Sequence, residues 1–257
     1  MRNILQDTNL RGVILKSYGA GNIPTDAGFL DLFKEFVDKD GIVVNVTSVP
    51  EGEVVMGLYE TSQVLLDRGI IGGFDLTPEA ALCKLMMLLG HYDTTRVRQL
   101  MQQSLAGEQR LSLETTSFKE SGSIDSEKPR AELRKTELSS VSDSNRIDKV
   151  MLRFKRARLK PGASEYASIR ITLDTGEDLG VFRRRQVPEG ALVKDDEVGE
   201  SLTIDLTTHK RLFEAKESSG RIKVAHRVGF MIAVENSGDA TFSWDEAELN
   251  IYTAEER

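Results

Sequence analysis

The stretch GVILKSYGAGNIP, Gly12 to Pro24, decides how the first half of this chain is read. Val13-Ile14-Leu15 is a buried strand's run, and it stops at Gly19-Ala20-Gly21-Asn22-Ile23-Pro24, a glycine-built turn carrying one amide side chain. Open α/β sheets place ligands outside the carboxyl ends of their strands, so a site is expected at this turn. Outward from it, Phe29, Leu32, Phe33, Phe36 and Val37 recur at spacings of three and four, which predicts an amphipathic helix. Asp40-Gly41 stops that helix. Ile42-Val43-Val44-Asn45-Val46 follows as a strand with the near-continuous apolar run of a parallel strand covered on both faces. Strand, helix and strand in that order form a βαβ unit with a right-handed crossover. Residues 53–58 add a short extended piece, and Thr61 to Asp67 a short helix. GIIGGFDLTPEAALCKLMMLLG, Gly69 to Gly90, holds a helix start, with Thr77 as cap and Pro78 in the first turn. Asp93-Thr94 caps a further helix through Leu100.

Bulk composition narrows the class. Over 257 residues, 39% hydrophobic and 29% charged is the balance of a folded globular chain rather than a disordered one. A net charge of −7 argues against nucleic acid or an anionic membrane as the main partner. The lone Cys83 excludes an internal disulfide and any cysteine-cluster metal site. His91, His209 and His226 are too far apart in sequence for a histidine metal spacing, so no metal ligands are assigned. The first dozen residues lack the apolar core of a signal peptide, and no apolar run approaches the roughly 18 residues of a membrane span. A cytoplasmic location is expected.

From Ser112 to Asn145 serine, glutamate and lysine dominate and apolar residues stand alone, so the segment reads as a flexible linker. After Arg146 the apolar period becomes two, in Ile169–Leu173, Leu202–Leu206, Ile222–Val224 and Leu249–Ile251. Val150–Phe154 and Val228–Val234 are further strands. Turn signals at Lys160-Pro-Gly162, Asp174-Thr-Gly176, Pro188-Glu-Gly190 and Asn236-Ser-Gly238 separate them. Short punctuated strands with no helical run predict an antiparallel β-sandwich or barrel. The expected organisation is an α/β domain over 1–111, a linker over 112–145 and a β-sandwich over 146–257: α/β followed by all-β.

GVILKSYGAGNIP, GIVVNVTSVPEGEVVMGLYETS and GIIGGFDLTPEAALCKLMMLLG together resemble, collinearly over about residues 10–107, the C-terminal domain of bacterial L-asparaginases of the cytoplasmic type I group. The resemblance implies a small Rossmann-like parallel sheet and hydrolysis of L-asparagine to L-aspartate and ammonia by a threonine nucleophile, with no cofactor. The family's threonines lie in motifs of the TGGTI and HGTDT kinds, and neither occurs in these 257 residues. His91-Tyr92-Asp93-Thr94-Thr95 echoes the second in the wrong order and reads as a helix cap. No catalytic residue is therefore assigned, and the chain alone is expected to be inactive.

Asn22 matches the Asn that the family sends across its dimer toward the neighbouring subunit's active site; its amide suits the amino or carboxylate group of an amino acid. The alternative is that Asn22 only relieves a left-handed turn. The resemblance also implies an allosteric amino-acid site at Lys16, Thr47, Ser48 and Val49, degraded because the family's Arg is here Lys16 and its T-Q-C run is Thr47-Ser48-Val49. Implied partners are L-asparagine or a related amino acid, and a homodimer or a separate catalytic domain. The alternative from another class is a non-catalytic amino-acid-binding or scaffold protein whose sandwich binds a ligand or protein. Cys83 reads as a small buried hydrophobe. Arg183-Arg184-Arg185 with Arg153, Lys155, Arg156 and Arg158 reads as a solvated basic face, or a site for an acidic ligand. Trp244 with Phe242 and Tyr252 reads as core, or as a sugar platform.

Overall fold

A computed structural model describes residues 2–24, 26–50, 52–57, 60–118, 121–135, 145–160, 166–185, 201–216, 222–224, 228–235 and 241–255. The chain divides into two compact units, Met1–Leu113 and Glu114–Arg257. None of the described helices is long and apolar enough to cross a membrane.

The first unit runs α1 (Arg2–Leu5), β1 (Gly12–Ser17), α2 (Ala27–Asp38), β2 (Ile42–Thr47), α3 (Glu60–Asp67), β3 (Ile71–Gly72), α4 (Pro78–His91) and α5 (Thr94–Met101). Its three strands form a parallel sheet in the order β1-β2-β3. The register runs from Gly12 opposite Ile42 to Ser17 opposite Thr47, and Val44 lies opposite Ile71. All six residues of β2 are buried because helices cover both faces. Ile42, Val44 and Val46 meet Ala81, Leu85 and Leu88 of α4 and Val97 of α5 on one face. Val43 meets Leu30, Phe33 and Phe36 of α2 and Leu65 of α3 on the other. The βαβ reading and the helices expected around Phe33, Leu85 and Val97 are borne out, and their ends follow the capping residues. Asp26 accepts from Phe29 N at 3.0 Å, Thr77 from Ala80 N at 3.2 Å and Asp93 from Arg96 N at 2.9 Å. Each satisfies an otherwise orphan N–H of a first turn. Of the expected extended piece over 53–58, Val54 bridges Phe74, and residue 58 lies outside the described residues.

Among its described residues the second unit is built of strands and one 3₁₀ helix. It comprises β4 (Leu111–Phe118, begun in the last residues of the first unit), β5 (Gly122–Ile124), β6 (Arg130–Lys135), β7 (Asn145–Lys155), β8 (Arg158–Lys160), β9 (Tyr166–Leu173), β10 (Asp178–Arg185) and β11 (Leu202–Asp205). The 3₁₀ helix (Thr207–Phe213) precedes β12 (Glu214–Lys216), β13 (Ile222–Val224), β14 (Val228–Glu235), β15 (Thr241–Trp244) and β16 (Glu246–Glu255). Two four-stranded sheets, β10-β9-β14-β6 and β11-β7-β16-β4, share one core in which Ile171, Phe230 and Ile232 meet Leu152, Phe154 and Leu249. Smaller sheets β5-β15-β8 and β12-β13 complete it. β9 pairs antiparallel with β10 and β14, and β7 with β11 and β16. This is the expected antiparallel sandwich.

Two expectations are corrected. The segment expected as a linker carries β4, β5 and β6, with residues 119–120 and 136–144 outside the described residues. β4 and β6 are terminal strands of their sheets, so few apolar anchors suffice: Phe118, Ile124, Ala131 and Leu133 are buried while charged neighbours face water. The second half also contains a helical run. Asp205 accepts from Thr207 N at 2.8 Å, Thr207 Oγ1 accepts from Val150 N at 3.2 Å, and Leu206 and Phe213 are drawn into the core.

Trp244 is 2% exposed and packs edge-on against Phe154 with ring centres 5.2 Å apart. It is core, and the sugar-platform alternative falls; Tyr252 is buried as well. The basic cluster is largely neutralised. Arg153 pairs with Glu248, Lys155 with Glu246 and Glu248, and Arg156 with Asp245. The side chains of Arg183–Arg185, and the turns at 161–162, 188–190 and 236–238, lie outside the described residues.

Candidate functional site

β1 ends on Ser17, whose hydroxyl donates to the Val46 carbonyl at 3.0 Å, and the chain then folds on itself within five residues. Tyr18 N donates to the Asn22 carbonyl at 3.1 Å and Asn22 N to the Tyr18 carbonyl at 2.9 Å, closing a small antiparallel hairpin. The turn demands left-handed backbone, and the two glycines supply it, Gly19 at φ 54° and Gly21 at φ 106°. Asn22 has no positive φ, so relief of a left-handed turn is not what it provides. Residues directly opposite in an antiparallel pair project to one side, so Tyr18 and Asn22 share a face. Both are exposed, Tyr18 at 77%.

The hairpin is held from beneath by β2. Thr47 Oγ1 donates to the Gly19 carbonyl at 2.7 Å and accepts from Val49 N at 3.0 Å. Asn45 Nδ2 donates to the Gly21 carbonyl at 3.0 Å. Asn45 is fully buried, and its Oδ1 has no hydrogen-bond partner among the described residues. A Cβ on Gly21 would stand 2.8 Å from Val54 Cγ1 and 3.1 Å from Asn45 Nδ2, so glycine is required there for closeness as well as for φ. Asn45 and the anchoring role of Thr47 were missed as site features by the sequence reading. The signal was an amide inside an otherwise β-branched run, since a buried amide in a strand needs a polar partner.

Of the implied second site, Lys16 lies opposite Val46 and Ser17 opposite Thr47, which sets Lys16 and Thr47 on opposite faces of the sheet. Lys16 is exposed on the α4 side, Ser48 N donates to the Ser17 carbonyl at 2.8 Å, and Val49 is exposed. The four residues share one strand end but do not converge on one point.

The loops beside the hairpin are tied down by charge. Val54 N donates to the Phe74 carbonyl at 2.9 Å, Arg110 pairs with Glu53, and Arg110 N donates to both oxygens of Asp75 at 2.9 and 3.1 Å. Lys84 points inward from α4, although Cys83, expected inside, is exposed. Helix phase explains the exchange: Ala81, Leu85 and Leu88 define the inner face, and position 84 lies on it while 83 does not. Lys84 Nζ donates to the Gln103 carbonyl at 2.5 Å and to Gln109 Oε1 at 2.8 Å, and it pairs with Glu108 at 2.6 Å. Burial pulls the Lys84 ammonium below its ordinary range against the hydrogen bond and charge of Glu108, which raise it. Burial alone would raise the Glu108 carboxyl, but the hydrogen bonds from Lys84 and Ala106 N outweigh it and hold it below the usual range. Asp93 is the cap of α5 and Thr94 Oγ1 donates to the Asp40 carbonyl at 3.4 Å, so 91–95 is structural.

The first part of the chain is similar to known proteins. Residues 1–101 match the family model described as the Glutaminase/Asparaginase C-terminal domain. The chain is 43% identical over 109 residues to L-asparaginase 1 of Escherichia coli K12, covering 42% of this chain and 32% of that protein. It is 38% identical over 110 residues to one polypeptide of the glutamyl-tRNA(Gln) amidotransferase of Saccharolobus islandicus, covering 42% of this chain and 24% of that one. The crystal structure of L-asparaginase I from Vibrio cholerae O1 biovar eltor aligns at 41% identity and a TM-score of 0.40, over 42% of this chain and 32% of that one. The chain thus spans a third or less of the length of these relatives. Residues 1–101 are a glutaminase/asparaginase C-terminal domain.

Proposed function

We propose that the first unit supplies one wall of a composite amidohydrolase site, with Asn22 the group it presents to an amino-acid amide. The substrate class is L-asparagine or a close relative, hydrolysed to L-aspartate and ammonia by a threonine nucleophile on a separate catalytic domain, in a cytoplasmic assembly. The observation that carries this reading is the exposed Asn22 on a hairpin whose glycine carbonyls are held by buried Thr47 and Asn45, within a unit that matches this family. A turn fixed before binding loses little freedom on meeting a ligand. The amide offers both a donor and an acceptor to an α-carboxylate and α-amino group.

The decisive experiment adds a threonine-bearing asparaginase catalytic domain, as a separate polypeptide, to this chain and follows ammonia release from L-asparagine. Turnover that requires both polypeptides and falls at least tenfold with Asn22→Ala is the expected result. Equal turnover with and without this chain would overturn it. A second reading, amino-acid binding without catalysis, is favoured by the absence of TGGTI- and HGTDT-type motifs from the 257 residues. Calorimetric binding of L-asparagine to the chain alone, abolished by Asn22→Ala, would select it.

A further inference from the structure

Tyr18 is the one aromatic residue of the hairpin Tyr18–Asn22, and the fold does not use its side chain. It is largely exposed; among the described residues it makes no side-chain hydrogen bond and belongs to neither apolar cluster of the first unit. A single exposed aromatic needs no explanation in itself. What sets Tyr18 apart is its position. Tyr18 and Asn22 exchange both backbone hydrogen bonds, at 3.1 and 2.9 Å. A pair opposed in this way holds its Cα atoms about 5.5 Å apart and sends both side chains to one side. The phenol is longer than the carboxamide, so the ring stands beside any group seated on the Asn22 amide. The residues between them leave room. Gly19 and Gly21 carry no side chain, Ala20 carries only a methyl, and a Cβ built on Gly19 would meet nothing within 4 Å. The spacing of ring and amide is also fixed in advance, because Thr47 and Asn45 hold the carbonyls of Gly19 and Gly21.

We propose that Tyr18 is a second ligand-binding residue of the composite site, its ring the side wall against which the amino-acid amide held by Asn22 lies. This role rests on the amidohydrolase reading of Asn22 and extends it. The ring offers an apolar face to the ligand's carbon chain. It also keeps water from one side of the hydrogen bonds that Asn22 makes, and a hydrogen bond is stronger where the local dielectric is low. A tyrosine supplies such a surface at small entropic cost, since only two side-chain torsions have to be fixed. Its hydroxyl keeps the outer end of the ring hydrated, so an aromatic side chain can stand in water until a ligand arrives. The ring, not the hydroxyl, makes the contact.

The two-polypeptide ammonia assay, with L-asparagine as the probe, tests this role. Tyr18→Ala raises KM at least fivefold and leaves kcat within about twofold, the mark of binding lost equally from the ground and transition states. Tyr18→Phe, which keeps the ring, restores KM to within about twofold of the parent. Because the ring shields the hydrogen bonds of Asn22, Asn22→Ala costs at least threefold less in kcat/KM when Tyr18 is already alanine. Amide exchange at Gly21 and Asn22 stays at the parent level in Tyr18→Ala, which separates loss of the wall from loss of the turn. Faster exchange there makes Tyr18 a support of the hairpin and overturns the proposal. So does a Tyr18→Phe variant whose KM equals that of Tyr18→Ala, since the hydroxyl would then be the contact. An unchanged KM in Tyr18→Ala, where Asn22→Ala still lowers turnover, overturns the role of Tyr18 alone. Turnover indifferent to the whole chain overturns it together with the composite site.

Discussion

Replacing Lys84 by methionine tests whether the buried ammonium organises the end of the first unit. Methionine keeps the aliphatic stem and removes the charge, so packing changes little. Lost are the hydrogen bonds to the Gln103 carbonyl and Gln109 Oε1 and the pairing with Glu108. Breaking a fully buried pair by deleting one partner costs about 3–5 kcal/mol. Two features reduce that figure. The Glu108 side chain keeps 21% of its surface and so recovers hydration. Its carboxylate also retains the backbone N–H groups of Leu105 and Ala106. About 2 kcal/mol is left, and with a urea m-value near 2 kcal/mol/M the midpoint falls by about 1 M. The assay is urea unfolding with two probes. Circular dichroism at 222 nm follows the first unit, which holds all five described α-helices. Fluorescence of the sole tryptophan, Trp244, follows the second. The double variant Lys84→Met/Glu108→Gln recovers at least about 1 kcal/mol, because the unpaired carboxylate is gone. A midpoint for Lys84→Met within about 0.3 M of the parent, or above it, would refute the reasoning.

Three further outcomes follow from the same geometry. The Glu108 carboxyl is held below its ordinary range, so its contribution is complete above the unfolded carboxyl's pKa and is lost as pH falls through the folded one. Helical stability of the parent therefore drops below about pH 4 more steeply than that of Glu108→Gln, as acid titrations by circular dichroism will show. Thr47→Val removes the donor to the Gly19 carbonyl and the acceptor for Val49 N, and costs about 1–2 kcal/mol in urea unfolding. It also raises amide exchange across the hairpin, whereas unchanged exchange at Gly21 and Asn22 would show that Thr47 does not hold the turn. Gly122→Ala places a methyl 2.0 Å from Trp244 Cζ2, which forces the indole or the strand to move. A loss of about 1–3 kcal/mol is expected in the transition followed by Trp244 fluorescence, together with a shift of its emission.

Much of the first unit was legible because its elements carry both period and punctuation. Phe29 to Val37 gave α2 and Ile42 to Val46 gave β2, while Thr77-Pro78 and Asp93 set the starts of α4 and α5. Residue type misled where phase would have informed. In Ala81-Leu82-Cys83-Lys84-Leu85, hydrophobicity places Cys83 inside and Lys84 outside, whereas the spacing of Ala81, Leu85 and Leu88 does the reverse. The strands β4 and β6 escaped detection because an edge strand needs only one anchored face, and theirs is thinly marked amid Ser, Glu and Lys. At the candidate site Asn22 was readable, being a polar residue in a glycine turn. For Asn45 the need of a polar partner was readable from its place in a β-branched run, but the partner was not, since the Gly21 carbonyl is a backbone group 24 positions away.

The contacts of Lys84 also settle how the first unit has to be cut. Similarity to the family model stops at residue 101, yet Gln103, Glu108 and Gln109, which receive the ammonium, all lie past that point. A polypeptide ending at Met101 would keep every helix and strand of the α/β sheet and still hold an ammonium with nothing to neutralise it. One ending at Leu113 keeps the whole set. Where this module ends is decided by one buried ammonium, whose counter-charge, Glu108, lies in the last dozen residues of the unit.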